Sequence, residues 1–256
     1  MRVLLIDGLN LIRRVYAGVP PEEDQFAHRT SVANAVTASV ARALRKLEPT
    51  HAIAVMDSQG PSWRHTEFPE YKANRKPMPE AQAQQLPELE AAVRELGVHA
   101  ARVDGFEADD VIATIATRLA TREVAVVVLS TDKSMLTLLP AGVRIYHHFE
   151  GKDLDEAYVR NRFGIPSAWL PAFLALAGDN TQNVPGVRGV GPKTAVALLT
   201  DADGSVETVI HNAAKQSNRH ARAVLEQADE VRRFETISRL RTDIDVGMNL
   251  SDFRLR

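Results

Sequence analysis

The chain has 256 residues, no cysteine, and 31 basic against 33 acidic side chains. This composition is typical of a globular protein with one large domain or two unequal ones, and it excludes disulfides and thiolate metal sites. No apolar run approaches the length of a membrane span, and Asp7 interrupts the short N-terminal apolar stretch, which argues against a signal peptide. We therefore expect a cytoplasmic protein without membrane contact. The formal net charge of −2 indicates that any nucleic-acid surface is local.

The first half of the chain alternates strand and helix patterns. Strands are predicted at 3–7, 51–57, 98–103, 124–130 and 143–146. Helices are predicted after Gly8 and at 31–47, 80–96, 108–122 and 133–139. Such alternation indicates an α/β fold with a mostly parallel central sheet flanked by helices.

Strand patterns stop near residue 153, and the rest of the chain has the pattern of short helices. These are predicted at 155–163, 167–177, 192–200, 204–214, 217–227 and 229–240. We expect an α/β core over residues 1–153 and a C-terminal α-helical subdomain over 154–256. The tail 241–256 has no readable pattern.

Carboxylates recur where the predicted strands end. Asp7, Asp57 and Asp132 end three strands, the cluster 107–110 opens a helix, and Asp179 lies in GDNTQNVPG. Since parallel strands share their carboxyl edge, these side chains are expected to meet there. Close carboxylates stay ionised only with a cation among them, and oxygen ligands favour Mg²⁺ or Mn²⁺. Such a site supports phosphodiester hydrolysis. Taken alone, the 107–110 cluster also fits an acidic first turn favoured by the helix dipole.

Two further segments are suited to nucleic acid. In 184–199, Gly186, Gly189 and Gly191 form a tight turn before Pro192, which would expose backbone N–H groups to a phosphate. An ordinary connection between helices is the alternative. In 62–80, aromatic residues alternate with cations, as in surfaces that stack on unpaired bases. A proline-broken surface loop is the alternative there.

Six motifs carry a resemblance to a known family. They are LLIDGLNLIRR, the strand end at Asp57, FPEYKANRKPMPE, EADDVIATIA, LSTDKSMLTLL and GDNTQNVPGVRGVGPKTA. In this order they resemble the structure-specific 5′ nucleases, or flap endonucleases, and among these the bacterial exonuclease IX type. The resemblance covers nearly the whole chain. It implies a helical arch at about 60–96, a helix-hairpin-helix (helix-three-turn-helix) element at 184–199, and metal-dependent cleavage of 5′-flap or branched DNA without base specificity.

The resemblance also implies roles for individual residues. The first metal site would use Asp7, Asp57, Glu107, Asp109 and Asp110, and the second would retain Asp132 and Asp179. The arch residues Tyr71, Lys72 and Arg75 would handle DNA, and Lys72 and Arg75 would offset charge on the scissile phosphate. The backbone at Val187 and Val190 would hold K⁺, and Arg188, Gly189, Gly191 and Lys193 would contact the DNA backbone.

Two positions depart from the family pattern. Ser134 and Gln182 stand where the family usually has acids of the second metal site. Exonuclease IX-type proteins also lack part of this set of acids. Because neutral side chains do not compensate a divalent charge, we expect an intact first site and a weak or empty second one. A protein that binds branched DNA but cuts it poorly remains an alternative. An RNA nuclease on a related acidic scaffold is a third reading.

Overall fold

A six-stranded sheet forms the centre of the computed structural model, which describes residues 1–255. The strands are β1 (Arg2–Asp7), β2 (His51–Val55), β3 (His99–Ala101), β4 (Ala125–Leu129), β5 (Arg144–His147) and β6 (Lys152–Leu154). Their order is β3-β2-β1-β4-β5-β6, and all pairs except β5–β6 are parallel. The predicted mostly parallel sheet is confirmed. Strand β6 was not predicted, because three residues are too few to show an alternating pattern.

Eleven α-helices surround or follow the sheet within residues 1–255. They are α1 (Gly8–Gly18), α2 (Gln25–Leu47), α3 (Trp63–Glu67), α4 (Glu80–Glu95), α5 (Ala108–Ala120), α6 (Glu156–Phe163), α7 (Leu170–Ala177), α8 (Pro192–Thr200), α9 (Val206–Ala213), α10 (Arg219–Glu226) and α11 (Ala228–Ser238). Short 3₁₀ helices cover Lys133–Ala141, Ser167–Trp169 and Leu250–Phe253. None of the helices in this part of the chain is long and apolar enough to cross a membrane.

Several segments differ from the predicted helices in helix type, in existence or by more than two residues at one end. Helix α2 begins at Gln25 rather than at 31, because the Asp24 carboxylate caps it by accepting a hydrogen bond from Phe26 N at 2.9 Å. The segment 133–139, predicted as a short helix, is 3₁₀ and ends after Pro140 with Gly142 in the left-handed region. The segment 58–80, which has no periodicity in sequence, contains the one-turn helix α3.

The sheet is buried on both faces. In β1, Leu4 and Ile6 join one hydrophobic cluster with residues of α1, α2 and α4, while Val3 and Leu5 join the other. This alternation follows from the two-residue period of a strand. The second cluster is shared by α5 and by the helices after residue 165. The C-terminal helices therefore pack on one sheet face through a common core. The division at residues 153/154 stays a prediction.

The segment after α11 returns to the sheet. Phe253 is buried, His51 and Arg254 form an antiparallel bridge, and Leu255 N donates to Thr50 O at 3.1 Å. These contacts join residues about 200 positions apart in the sequence, so no local sequence pattern predicts them.

Candidate active site

The site lies at the carboxyl edge of the sheet, where the strand order reverses between β1 and β4. Asp7, the last residue of β1, caps α1 by accepting from Asn10 N at 3.2 Å, and it accepts from Ser130 Oγ at 2.7 Å. Asp57 follows β2 and accepts from Ala108 N, the first residue of α5, at 2.8 Å. Each aspartate thus ties a strand end to a helix start, and its position is fixed.

One cavity of about 330 Å³ collects most of the predicted carboxylates. Its acidic lining is Asp7, Asp57, Glu107, Asp109 and Asp132. Its cationic lining is Arg13, Arg14, Lys72 and Arg75. We call this space the first cavity. Two of the predicted acids, Asp110 and Asp179, lie outside it.

Two carboxylates in the first cavity carry charge that the surroundings do not neutralise. Burial raises the pKa of Asp7 to about 7, and the charges of Asp57 and Asp132 add to this although a hydrogen bond from Ser130 opposes it. Burial also raises the pKa of Asp109 well above its usual range, with further contributions from Asp132 and Asp7. Carboxylates that repel one another in this way favour a bound cation.

The donors in the first cavity fit Mg²⁺ or Mn²⁺, because all of the acidic ligands offer oxygen. Within residues 1–255, however, no three His, Asp or Glu side chains stand close enough to form a ready-made cage for an ion. Mg²⁺ usually keeps several waters and takes only one or two carboxylates from the protein. The open first cavity therefore suits a partly hydrated ion.

Asp110 forms an ion pair with a buried arginine. Arg64, which is 2% exposed, donates to the two oxygens of Asp110 at 2.6 and 2.7 Å. Trp63 Nε1 and Arg241 N complete the shell of Asp110, each at 2.9 Å. Asp110 has no exposed surface and lines no part of the first cavity. Its environment is that of a structural anchor rather than of a ligand open to an ion.

Glu107 lies between this anchor and the first cavity. It accepts from Arg64 and from the Tyr71 hydroxyl, each at 2.9 Å, and it forms a short ion pair with Lys72. Burial acts to raise the pKa of Glu107, but the charges of Lys72 and Arg64 hold it below its usual range. Burial and the Glu107 charge raise the pKa of Tyr71, so its hydroxyl stays a neutral donor. Tyr71, expected at the DNA, is only 4% exposed.

Asp179 lies in a different environment. Its Oδ1 accepts from Lys133 Nζ at 2.7 Å, from Thr181 Oγ1 at 2.7 Å and from Thr181 N at 2.9 Å. The neighbouring space has about 20 Å³ and is lined in part by Asp132, Ser134, Asp179 and Gln182. We call it the second cavity. Asp179 lines only the second cavity, whereas Asp109 and Asp132 line both cavities.

Hydrogen bonds join the loop after α3 to the turn 179–183, and we call this set of bonds the clasp. Lys72 N donates to Gln182 O at 3.0 Å, Asn74 Nδ2 to Asn180 O at 2.7 Å and Arg75 Nε to Thr181 O at 2.9 Å. Lys72 adopts φ 57°, in the left-handed region that non-glycine residues seldom occupy. These hydrogen bonds hold Lys72 and Arg75 in the lining of the first cavity.

The glycine turn lies at the start of α8. Gly186 has φ 70°, and a Cβ atom there would meet Gly178 N at 2.4 Å, so two backbone segments touch at this point. Val187 N donates to Leu176 O at 2.9 Å, and the Val187 and Val190 side chains are buried. The other predicted contact residues of the turn are exposed: Arg188, Gly189, Gly191 and Lys193.

Three side chains of this region were not predicted to have a site role: Arg64, Lys133 and Thr181. In the sequence, Arg64 is one of several cations in 62–80. Lys133 lies in the motif LSTDKSMLTLL, where the acidic positions carry the prediction. Their partners lie about 45 residues away or more in the chain. Only the tertiary structure shows which carboxylate each one meets.

Comparison with known proteins identifies relatives along the whole chain. Residues 2–164 match the family described as "5'-3' exonuclease, N-terminal resolvase-like domain", and residues 165–256 match "5'-3' exonuclease, C-terminal SAM fold". A protein named Flap endonuclease Xni, from Shewanella amazonensis, is 37% identical over 254 residues, which cover 99% of this chain and 98% of the relative.

Solved structures share the fold at lower identity. A structure titled "Divalent metal ions (zinc) bound to T5 5'-exonuclease" superposes with a TM-score of 0.77 at 20% identity, covering 93% of this chain and 89% of that one. A complex of bacteriophage T5 flap endonuclease with DNA and metal ions gives 0.74 at 19% identity, with the same coverage.

Proposed function

This chain belongs to the 5′-3′ exonuclease family, and we propose that it is a metal-dependent nuclease that hydrolyses 5′-flap or branched DNA without base specificity. The observation that carries the proposal is the first cavity, whose lining combines Lys72 and Arg75 with two carboxylates of raised pKa, Asp7 and Asp109. Acids that favour a cation beside side chains that favour a phosphate suit a phosphodiester substrate. The name Flap endonuclease Xni, borne by relatives that match almost end to end, supports the same substrate class.

Asp7, Asp57, Asp109 and Asp132 would hold the divalent ion, with Glu107 at the edge of the group. When bound, Mg²⁺ or Mn²⁺ lowers the pKa of a coordinated water and offsets charge on the phosphodiester. We assign Asp110 a positioning role, because Arg64 already engages both of its oxygens. This division assigns Asp7 and Asp109, whose pKa values are raised, to the ion together with Asp57 and Asp132, and it assigns Asp110, which pairs with Arg64, to the framework.

Lys72 and Arg75, which also line the first cavity, would offset charge on the scissile phosphate. The hydrogen bonds to the turn 179–183 fix the backbone of Lys72 and the guanidinium of Arg75, so the cations are held in place before DNA arrives. Tyr71 acts through Glu107, to which its hydroxyl donates at 2.9 Å, rather than by stacking on a base. Arg13, exposed at the mouth of the first cavity, is placed to meet a neighbouring phosphate.

The turn 186–193 would grip the duplex through its phosphates. Support comes from the exposed backbone at Gly189 and Gly191 and from the exposed side chains of Arg188 and Lys193 at the start of α8. A K⁺ ion at the Val187 and Val190 carbonyls and a cytoplasmic location are further parts of this proposal.

The test is cleavage of an end-labelled 5′-flap DNA in Mg²⁺, Mn²⁺ or EDTA. Asp57→Asn is the matched control, since the amide oxygen can still accept from Ala108 N while the charge is lost. Metal-dependent cutting that disappears in the variant is the expected result. Structure-selective binding with no cutting above the control would identify a branched-DNA-binding protein instead. Faster cutting of an RNA flap would identify an RNA nuclease.

A further inference from the structure

Among residues 1–255, Asn10 is the one neutral polar side chain that lines the first cavity. It lies in the first turn of α1, close to the point where β1 ends at Asp7. We propose that Asn10 is a catalytic residue whose Nδ2 atom donates a hydrogen bond to a non-bridging oxygen of the scissile phosphate. The inference rests on the proposed nuclease function, because it assigns a further substrate contact to that same site.

The orientation of the Asn10 amide is fixed by its neighbours. Its Oδ1 atom accepts from Thr131 Oγ1 at 2.8 Å and from Thr131 N at 3.3 Å. A backbone N–H group can only donate, so the oxygen of the amide points to Thr131 and its nitrogen points away. The main chain of Asn10 is held as well, since Asn10 N donates to Asp7 Oδ1 at 3.2 Å.

The amide nitrogen of Asn10 is left with donor capacity and no protein acceptor. Across residues 1–255, Nδ2 donates to no backbone or side-chain oxygen, and it is not one of the buried side-chain atoms that lack a partner. It is therefore open to solvent. Because Asn10 lines the first cavity, a ligand that enters this space can accept a hydrogen bond from Nδ2.

A neutral donor suits a phosphodiester at this place. Asp7 and Asp132 line the same cavity, and their carboxylates would repel a phosphate. Lys72 and Arg75 oppose this repulsion, but each further cation would also repel a divalent ion. An N–H group of Asn10 attracts a phosphate oxygen without adding positive charge. The nitrogen cannot accept, so it neither ligates a cation nor takes a proton from an attacking water.

The donor is held in place before substrate arrives. Ser130 Oγ donates to Asp7 Oδ2 at 2.7 Å and accepts from Asp132 N at 3.0 Å, next to the contact between Asn10 and Thr131. Asn10 thus belongs to a network that joins the start of α1 to the end of β4. A fixed donor needs no reorganisation as charge develops on the phosphate oxygens, and loss of one such donor slows an enzyme by about 10²–10³-fold.

The test is single-turnover cleavage of 5′-flap DNA in Mg²⁺ with sulfur in place of either non-bridging oxygen at the position that the wild type cuts. Sulfur accepts hydrogen bonds poorly, so it should weaken the same contact that Asn10→Ala removes. We expect Asn10→Ala to cut unmodified DNA about 10²-fold more slowly. For one of the two phosphorothioate diastereomers, the slowing caused by sulfur should be at least about fivefold smaller in Asn10→Ala than in the wild type.

The matched control is Asn34→Ala, which removes an exposed asparagine of α2 outside the lining of the first cavity. It should keep the wild-type rate and the wild-type effects of sulfur. Equal slowing by sulfur in the wild type and in Asn10→Ala, for both diastereomers, would overturn the inference. An unchanged rate of Asn10→Ala on unmodified DNA would also overturn it.

Should Asn10→Ala not fold, Asn10→Asp replaces it, because the new carboxylate can still accept from Thr131 while both N–H donors are lost. The same loss of rate and of the sulfur effect is expected, and a wild-type rate would overturn the inference. Failure of the nuclease proposal is separate: the wild type would then cut unmodified flap DNA no faster than Asp57→Asn. Cutting by the wild type with sulfur effects independent of Asn10 would overturn this inference alone.

Discussion

The first and second cavities share Asp109 and Asp132 in their linings, but the carboxylates Asp7 and Asp179, which line only one cavity each, differ in how their charge is balanced. In the first, burial and mutual repulsion raise the pKa values of Asp7 and Asp109. In the second, Lys133 pairs directly with Asp179. An aspartate in an acidic motif therefore indicates a metal ligand only where no cationic side chain of the protein balances its charge.

The largest expected effect separates the two cavities directly. Asp109→Asn should lower cleavage of a 5′-flap DNA by about 10³-fold or more, because it removes an unmatched carboxylate from the ion's surroundings. Asp179→Asn is the matched variant and should lower cleavage by less than about tenfold, because Asp179 meets Lys133 and no part of the first cavity. The measurement is single-turnover cleavage. Equal losses of cleavage rate in the two variants would contradict the proposed difference between the cavities.

The second prediction concerns the anchor behind the first cavity. Arg64→Met should lower the free energy of unfolding by about 3–5 kcal/mol, because it leaves Asp110 and Glu107 buried with one cation fewer. The control is Arg232→Met, whose exposed pair with Glu207 should cost at most about 1 kcal/mol. Urea unfolding at neutral pH measures both. A smaller loss for Arg64 than for Arg232 would contradict the buried network.

The third prediction tests the cationic wall of the first cavity. Lys72→Met should lower the single-turnover rate by about 10²-fold, because it removes charge beside the scissile phosphate and frees Glu107 from its ion pair. Lys76→Met serves as control, since Lys76 is exposed and lies outside the lining of the first cavity. It should change the rate by less than about fivefold. A Lys76 effect as large as that of Lys72 would indicate general attraction of DNA instead.

The fourth prediction concerns how the stability of the folded protein depends on pH through the carboxylate of Asp7. In EDTA the folded protein holds a proton on Asp7 up to about pH 7, whereas the unfolded chain releases it near pH 4. The folded state therefore binds more protons in this window, and its stability falls as pH rises from about 4 to about 7. Asp7→Asn should reduce that fall, and Mg²⁺ should raise the melting temperature at pH 8 by about 5 °C. A melting temperature independent of Mg²⁺ at pH 8 would argue against an ion in the first cavity.

The smallest effect is expected from restoring the usual family acids. Ser134→Asp/Gln182→Asp should change the cleavage rate by less than about threefold while Lys133 remains, because the ammonium still occupies Asp179. A strong rise in rate would show that the second cavity admits an ion despite Lys133. The measurement is single-turnover cleavage in saturating Mg²⁺.

Much of the fold follows from local patterns. Continuous apolar runs ending on Asp7 and Asp57 predict buried parallel strands, and the side chains of β1 indeed contact two separate clusters. The carboxyl edge then follows, because parallel strands end on the same side. The return of 249–255 to the sheet and the three-residue strand β6 were not predictable, since both depend on partners rather than on periodicity.

The residue types of this site are readable from the sequence: oxygen ligands at strand ends, cations in the loop after α3, and a glycine turn before α8. The pairing of these charges depends on the three-dimensional fold. Asp109 and Asp110 are neighbours in the chain, but a helix turns successive side chains about 100° apart. Asp109 therefore faces the first cavity, and Asp110 faces Arg64. Which carboxylate stays available to a metal ion depends on which cation the fold brings to it.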